Sequence, residues 1–281
     1  MKACYIFVFI SLFLFTSLQA QNAGTADYDI YSDSFAKLYE LRQKVKDLHP
    51  ALNNFYPIAI YKDTTLTIFE PDEESNYKFI KEVRSSRPLH PKIMAAFPLG
   101  ENDNKMTCVV HDKIFDYDVG YIFIFHEFLH CYQFGTVELG LKSELTVHQN
   151  AMASKNYMWE ITHPFPYDDP KFEEFYSSLL EAAAQKNMAA VKTARTKLRE
   201  YLGKEDFEYM AWQEWKEGSA RWIENKIRNR FSVEENNFGT DKPYSRVSFY
   251  ASGALLIDML NEVQHEILTD LEALYHIIHN L

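Results

Sequence analysis

The sequence predicts an α+β fold in which a small mixed sheet precedes a mostly helical half. The stretch from about residue 50 to 117 is rich in β-branched and aromatic residues separated by turn signals. Residues 119–134 are apolar on nearly all sides, as in a buried helix. From residue 171 onward, apolar residues recur at helical spacing. Because no linker or repeat divides residues 21–281, we expect one domain, β-rich at about 50–117 and helical at about 118–281.

The N-terminus has the pattern of a secretory signal peptide over residues 1–20. Lys2 supplies a positive charge, residues 5–15 are nearly all apolar, and the small residue Ala20 precedes Gln21. This apolar stretch is too short to span a bilayer comfortably. We therefore expect an exported protein, periplasmic or secreted, with no stable membrane anchor after signal removal.

The charge balance narrows the classes of partner. The formal net charge is −11, and an acidic surface of this kind argues against binding nucleic acid or anionic lipid through bulk electrostatics.

Cys108 and Cys131 remain after signal removal. They either pair in an oxidising compartment or stay as two buried free thiols, and the sequence leaves both alternatives open.

The first half shows helical and strand patterns in turn. Residues 32–48 have helical spacing and end at His49-Pro50, and 57–69 are β-rich. Residues 73–83 are expected to be helical. Two further strands are expected at 93–97 and 106–115, joined by a turn at 100–105.

The second half is helical except for one segment. Residues 137–169 have no clear periodicity, and Pro164 and Pro166 mark irregular backbone. The helices expected after the buried one are 171–185, 188–202, 205–231, 245–263 and 265–280.

The buried helix at 119–134 carries the sequence His126-Glu127-Phe128-Leu129-His130. Residues four apart on a helix project from the same face, so His126 and His130 can occupy adjacent corners of a tetrahedral zinc site. Glu127 stands where its carboxylate can take a proton from a zinc-activated water and pass it to a leaving group. The spacing therefore predicts a catalytic Zn²⁺ site with Glu127 as the general base.

A third protein ligand is needed, and several residues compete for that role. The metzincin pattern fails, because Gln133 and Thr136 stand where it requires Gly and His. The helix at 205–231 offers Glu217 beside Gly218, which allows close approach to the motif helix. The other candidates are Asp241, His148 and Glu144.

The motifs resemble those of the gluzincin metallopeptidases, which have a zincin-like fold. Members combine an HExxH helix with a later E-G-x-A-x-(aromatic)-x-E helix, matched here by Glu217, Gly218, Ala220, Trp222 and Glu224. The resemblance implies that Glu217 is the third zinc ligand.

The same resemblance extends to the sequence Tyr250-Ala251-Ser252-Gly253-Ala254, which is similar to the Tyr-x-x-Gly-Ala helix of gluzincin aminopeptidases. It implies that Tyr250 stabilises the oxyanion of the tetrahedral intermediate. Arg221 departs from the family pattern, since several members have an acid there that orients the first histidine. That orienting role then falls to Glu224, Glu214 or a backbone carbonyl.

The function predicted from these residues is that of an exported zinc-dependent metallopeptidase, a hydrolase of peptide or protein substrates. Two alternatives stay open. One is a zinc hydrolase of a non-peptide amide or ester, which would use the same site chemistry. The other is a non-catalytic binding protein with a zincin fold, against which an intact Glu127 argues.

Overall fold

A computed structural model describes residues 29–264 and 267–281. The predicted signal peptide at 1–20 lies outside the described residues. The strands are β1 (Ile58–Lys62), β2 (Thr65–Pro71), β3 (Tyr77–Arg84), β4 (Met94–Leu99) and β5 (Lys105–His111). The helices are α1 (Ser32–Val45), α2 (Asp118–Gln133), α3 (Leu139–Glu144), α4 (Thr146–Ala153), α5 (Trp159–Thr162), α6 (Pro170–Ala184), α7 (Met188–Arg230), α8 (Arg246–Val263) and α9 (Leu271–Asn280).

The five strands form one mixed sheet in the order β3-β2-β1-β5-β4. The β1–β2, β2–β3 and β4–β5 pairs are antiparallel, whereas β1 and β5 are parallel. The central strands β1 and β5 bury nearly all of their side chains, because both faces of the sheet are covered there. The predicted small mixed sheet ahead of a mostly helical half is confirmed.

The predicted helix at 73–83 is wrong, because this segment contains strand β3. Its half-buried side chains alternate strictly with exposed ones from Tyr77 to Arg84, a period of two that fits a strand with one solvated face. The β-rich stretch at 57–69 is a hairpin, in which Asp63 and Thr64 adopt positive φ between β1 and β2.

Helix α7 joins two helices that the sequence predicted separately. Gly203 has φ 73° and ψ −174°, which interrupts the helical backbone between residues 188–202 and 204–230. Glycine adopts positive φ without a steric penalty, so the chain can bend there. The second part of α7 is the longest buried element and carries Glu217.

The segment without clear periodicity, 137–169, folds into a π-helix at Phe134–Glu138 followed by α3, α4 and α5. Four charged residues tie these pieces to α7. Lys216 Nζ lies 3.0 Å from Glu138 Oε1 and 2.8 Å from Glu160 Oε2, and Lys142 Nζ lies 2.6 Å from Glu160 Oε1. We call Glu138, Lys142, Glu160 and Lys216 the charge cluster.

The C-terminal helices are placed close to their predicted positions. Helix α8 spans Arg246–Val263, whereas the last helix begins later than predicted, at Leu271. Residues 265 and 266 of the predicted 265–280 helix lie outside the described residues, and Ile267–Thr269 form a 3-10 turn.

Helix α2 contacts β4 and β5 of the sheet and also α7 of the helical half. The motif helix therefore lies where the two halves of the domain meet.

Cys108 and Cys131 are both buried free thiols. Within 29–264 and 267–281, no helix has the length and apolar character needed to cross a membrane.

Candidate metal centre

Helix α2 brings the two motif histidines together on one face. His126 and His130 are one turn apart, their ring centroids are separated by 5.0 Å, and both side chains are buried. The remainder of α2 is almost entirely apolar, and its burial fixes which face the histidines present. The helix thus presents two imidazoles in one buried position.

Glu217 faces these histidines from α7. Its Oε2 atom lies 3.4 Å from His130 Nε2 and 3.8 Å from His126 Nε2. One ligand atom from each of the three residues lies within 4.8 Å of the other two. Among the described residues, this is the group of histidine, cysteine and acidic side chains arranged to hold a metal ion.

The position of Glu217 depends on a close crossing of α7 and α8. A Cβ on Gly218 would lie 2.6 Å from the Cα of Gly253, and a Cβ on Gly253 would lie 2.1 Å from the backbone oxygen of Glu214. Only glycine at both positions allows the two backbones to approach this closely. The crossing therefore sets the separation between Glu217 on α7 and Tyr250 on α8.

The second nitrogen of His126 is bound by Glu224. His126 Nδ1 lies 3.1 Å from Glu224 Oε2. The other oxygen of Glu224 accepts from Arg228 Nε at 2.9 Å and from Asn236 Nδ2 at 2.9 Å. Because Glu224 is itself held by these hydrogen bonds, it fixes the orientation of the imidazole and keeps a proton on Nδ1, directed at its carboxylate.

Gln133 has the corresponding role for His130, and the sequence reasoning did not assign it. His130 Nδ1 lies 2.8 Å from Gln133 Oε1, and Gln133 Nε2 donates to the backbone oxygen of Lys216 at 3.1 Å. Gln133 is fully buried. The signal that identifies it is its position three residues after His130, on the same helix face.

Glu127 lies beside the two histidines and against the sheet. Its carboxylate interacts with the backbone N–H of Ala96 on β4. Burial raises the pKa of Glu127 above its usual range, although His130 and His126 oppose the shift. A buried carboxylate with a raised pKa is suited to accept a proton and return it.

Tyr250 approaches the same site from α8. Its hydroxyl interacts with the Glu217 carboxylate, and burial together with that carboxylate raises the pKa of Tyr250 well above its usual value. Its ring lies between two arginines, with Arg221 Cζ at 5.7 Å and Arg246 Cζ at 5.2 Å from the centroid. Tyr250 therefore keeps its proton and is available as a hydrogen-bond donor.

The charges of His126, His130 and Glu217 interact, which shifts the pKa values of His126 and Glu217. Burial alone would lower the pKa of His126, but hydrogen bonds with Glu217 and Glu224 raise it to about 10. Burial opposes the ionised form of Glu217, yet His130 and His126 hold the pKa of Glu217 well below its usual range. Glu217 is thus an anion between two imidazoles.

The donor set fits a zinc ion. With the Nδ1 atoms directed at Glu224 and Gln133, both Nε2 atoms face Glu217 Oε2 and become available to a metal ion that displaces their protons. Two imidazole nitrogens and one carboxylate oxygen form a ligand set used by catalytic zinc sites, which leave a fourth position open.

The other candidates for the third ligand do not join this group. Asp241 and Glu144 are exposed, and His148 makes an edge-to-face contact with Trp159 at a centroid distance of 5.8 Å. Glu214, predicted as an alternative orienting acid, instead accepts from Arg195 Nη1 at 2.6 Å and from Ser252 Oγ at 2.8 Å. Of the two predicted orienting acids, only Glu224 contacts a motif histidine.

Comparisons with known proteins give this chain no family. A scan against protein-family models found no match. Searches of the curated proteins and of the solved structures also found none.

Proposed function

We propose that this protein is a zinc-dependent hydrolase of peptide bonds with a zincin-like fold. The observation that carries the proposal is the convergence of His126 Nε2, His130 Nε2 and Glu217 Oε2 next to Glu127. Each histidine has an acceptor on its other nitrogen, which is the arrangement of a preorganised metal site.

His126, His130 and Glu217 would hold the zinc ion. When bound, zinc polarises a substrate carbonyl and lowers the pKa of a coordinated water towards neutrality. Glu127 takes the proton of the attacking water and delivers it to the leaving nitrogen. The N–H of Ala96 holds the Glu127 carboxylate in place during these transfers.

Tyr250 donates its hydroxyl to the substrate oxygen on which negative charge develops. A donor aimed at that oxygen in a largely buried site lowers the barrier, because the charge is met by a fixed dipole in place of mobile water. The raised pKa of Tyr250 keeps the hydroxyl protonated throughout the neutral pH range.

Strand β4 supports a peptide as the substrate class. It is at the edge of the sheet among the described residues, and it contacts α2. The carbonyl of Ile93, just before β4, accepts a hydrogen bond from the N–H of His111 on β5. Backbone groups alternate in direction along a strand, so the odd-numbered residues of β4 direct their N–H and C=O groups towards β5 and the even-numbered residues direct theirs away. The open edge therefore runs beside Glu127, where an extended peptide could pair with it.

Hydrolysis of a defined peptide mixture by the zinc-loaded protein, followed by mass spectrometry, tests this proposal. The Glu127→Gln variant should keep its zinc and lose at least about 100-fold in rate, since removing a general base costs at least that much. Glu144→Gln, which changes an exposed acid, is the matched control and should cleave normally.

Equal rates for Glu127→Gln and the parent protein would contradict the assignment of the base. A parallel set of non-peptide amides and esters separates the substrate classes. Cleavage of these compounds without cleavage of any peptide would overturn the peptide assignment and leave a zinc hydrolase.

A further inference from the structure

Arg246 lies at the metal centre without a hydrogen bond of its own. Its Nη1 atom is 3.6 Å from Glu217 Oε1, beyond hydrogen-bond distance, and its guanidinium lies over the Tyr250 ring. Across 29–264 and 267–281, no residue accepts a hydrogen bond from it. Its side chain is 30% exposed, so it is largely withdrawn from solvent but not sealed off from it.

The neighbouring arginines are used differently. Arg221 Nη1 donates to the carbonyls of Asn236 and Phe238, and Arg228 Nε donates to Glu224. The hydrogen bonds of these two side chains fix a backbone segment and the Glu224 carboxylate that orients His126. Within the part of the chain that the structure describes, Arg246 makes no such hydrogen bond, although a guanidinium carries five donors in a planar fork.

The charges around the centre have a positive excess, which an anion would balance. With zinc bound and both histidines neutral, the positive charges of the ion and of Arg221, Arg228 and Arg246 exceed the negative charges of the nearby acids. Those acids are Glu127, Glu217 and Glu224. The excess is local, because the chain as a whole has a formal net charge of −11. A positive site on an acidic protein selects an anionic group at short range.

We infer that Arg246 binds a carboxylate of the substrate close to the scissile bond. This inference deepens the proposed function and rests on it. The planar fork of a guanidinium matches a carboxylate in a bidentate pair, a geometry that an ammonium group does not reproduce.

The spacing on α8 fixes which carboxylate is in range. Arg246 and Tyr250 are four residues apart, so their side chains share one helix face about 6 Å apart along the axis. Tyr250 is directed at the reacting carbonyl oxygen. The carboxylate that Arg246 binds therefore belongs to a residue next to the scissile bond, as the C-terminal carboxylate or as an aspartate or glutamate side chain.

Binding of peptides to the full zinc-loaded chain carrying Glu127→Gln tests the inference without requiring hydrolysis. The probes are random-sequence peptides in three matched sets. One set has free C-termini, one is amidated and lacks acidic side chains, and one is amidated but contains aspartate and glutamate. The measurement is the amount of each set retained on ultrafiltration, quantified by mass spectrometry.

Retention of carboxylate peptides should exceed that of neutral peptides by about tenfold, the effect of one charge-assisted hydrogen-bonded pair. Preference for free C-termini would identify the terminal carboxylate as the ligand, and preference for the third set would identify an acidic side chain. Adding Arg246→Gln should abolish either preference, and Arg246→Lys should reduce it. Arg230→Ala removes an arginine of similar exposure, 35%, that pairs with Asp47, and should leave it intact.

Equal retention of all three sets by the protein with Arg246 intact would overturn the inference, whatever the folding of the variants. A carboxylate preference that persists in a folded Arg246→Gln protein would also overturn it, because zinc alone would then hold the anion. Failure of the proposed hydrolysis is detected separately, since this binding experiment uses a variant without the general base.

Discussion

At the residue scale, the two histidines of the proposed metal site are each oriented by a residue that is not itself a proposed ligand. Glu224 fixes His126, and Gln133 fixes His130 while also binding the backbone of α7 at Lys216. The His130–Gln133–Lys216 chain therefore couples the motif helix to the helix that carries Glu217. Loss of one link should loosen the site without removing a ligand.

Replacement of Gln133 by Met keeps the side-chain volume and removes both hydrogen bonds. We expect the zinc affinity to fall by about 10- to 100-fold, the usual cost of losing an orienting partner. Competition with a chromogenic chelator measures the dissociation constant, and Gln185→Met, at an exposed position, is the matched control. An unchanged dissociation constant in a folded Gln133→Met protein would show that His130 needs no orienting partner.

The sequence predicted the motif residues and Glu217 better than the residues that orient the histidines. His126, Glu127 and His130 are adjacent in one motif, whereas Glu217 was identified through its neighbour Gly218 and the family resemblance. Helical geometry favours Glu224 over Glu214, because seven residues return to within about 20° of the direction of Glu217, whereas three residues differ from it by about 60°. Gln133 was missed because a glutamine in an apolar helix has no pattern of its own.

At the element scale, helix α7 is stabilised by charges that come from distant segments. In the charge cluster, Glu160 on α5 faces both Lys142 and Lys216. Burial opposes the charge of Glu160, but Lys216 and Lys142 lower its pKa from 4.5 to about 2. The cluster holds the short helices against α7 at Lys216, the residue that precedes Glu217.

Replacement of Glu160 by Gln should destabilise the protein at neutral pH by about 3 kcal/mol, because two buried lysines would share one carboxylate. The depressed pKa means that this contribution is fully present above pH 4.5 and is lost as the pH falls towards 2. Urea unfolding at pH 7 and pH 3 should therefore show a smaller difference between the two proteins at pH 3. A difference that grows on acidification would contradict the assigned ion pairs.

The elements that the sequence mispredicted depend on distant contacts. Strand β3 has its pattern from pairing with β2, and residues 73–83 alone were equally compatible with a helix. The short helices between 139 and 162 lack the length for a periodic signal and are held by the charge cluster. By contrast, α2, α6 and α8 were predicted closely, since their apolar pattern is long and continuous.

At the scale of the whole molecule, the proposed metal centre lies where the sheet and the helical half meet. Helix α2 contacts strands on the sheet side and α7 on the helical side, and α8 is locked to α7 at the Gly218–Gly253 crossing. A zinc ion bound by ligands from α2 and α7 would therefore join the helix that packs on the sheet to the rest of the helical half. The order of a sheet followed by helices was predictable from the sequence, but the individual contacts at this junction were not, because they join residues far apart in the chain.

The measurement that tests this account most directly is the zinc content of the folded protein by elemental analysis. We predict about one zinc per chain in the parent protein, as for a site with three protein ligands. Glu217→Ala should lose most of that zinc, whereas Glu205→Ala, at an exposed position of the same helix, should keep it. A metal-replete parent protein without zinc, or a folded Glu217→Ala protein that retains it in full, would contradict the central claim.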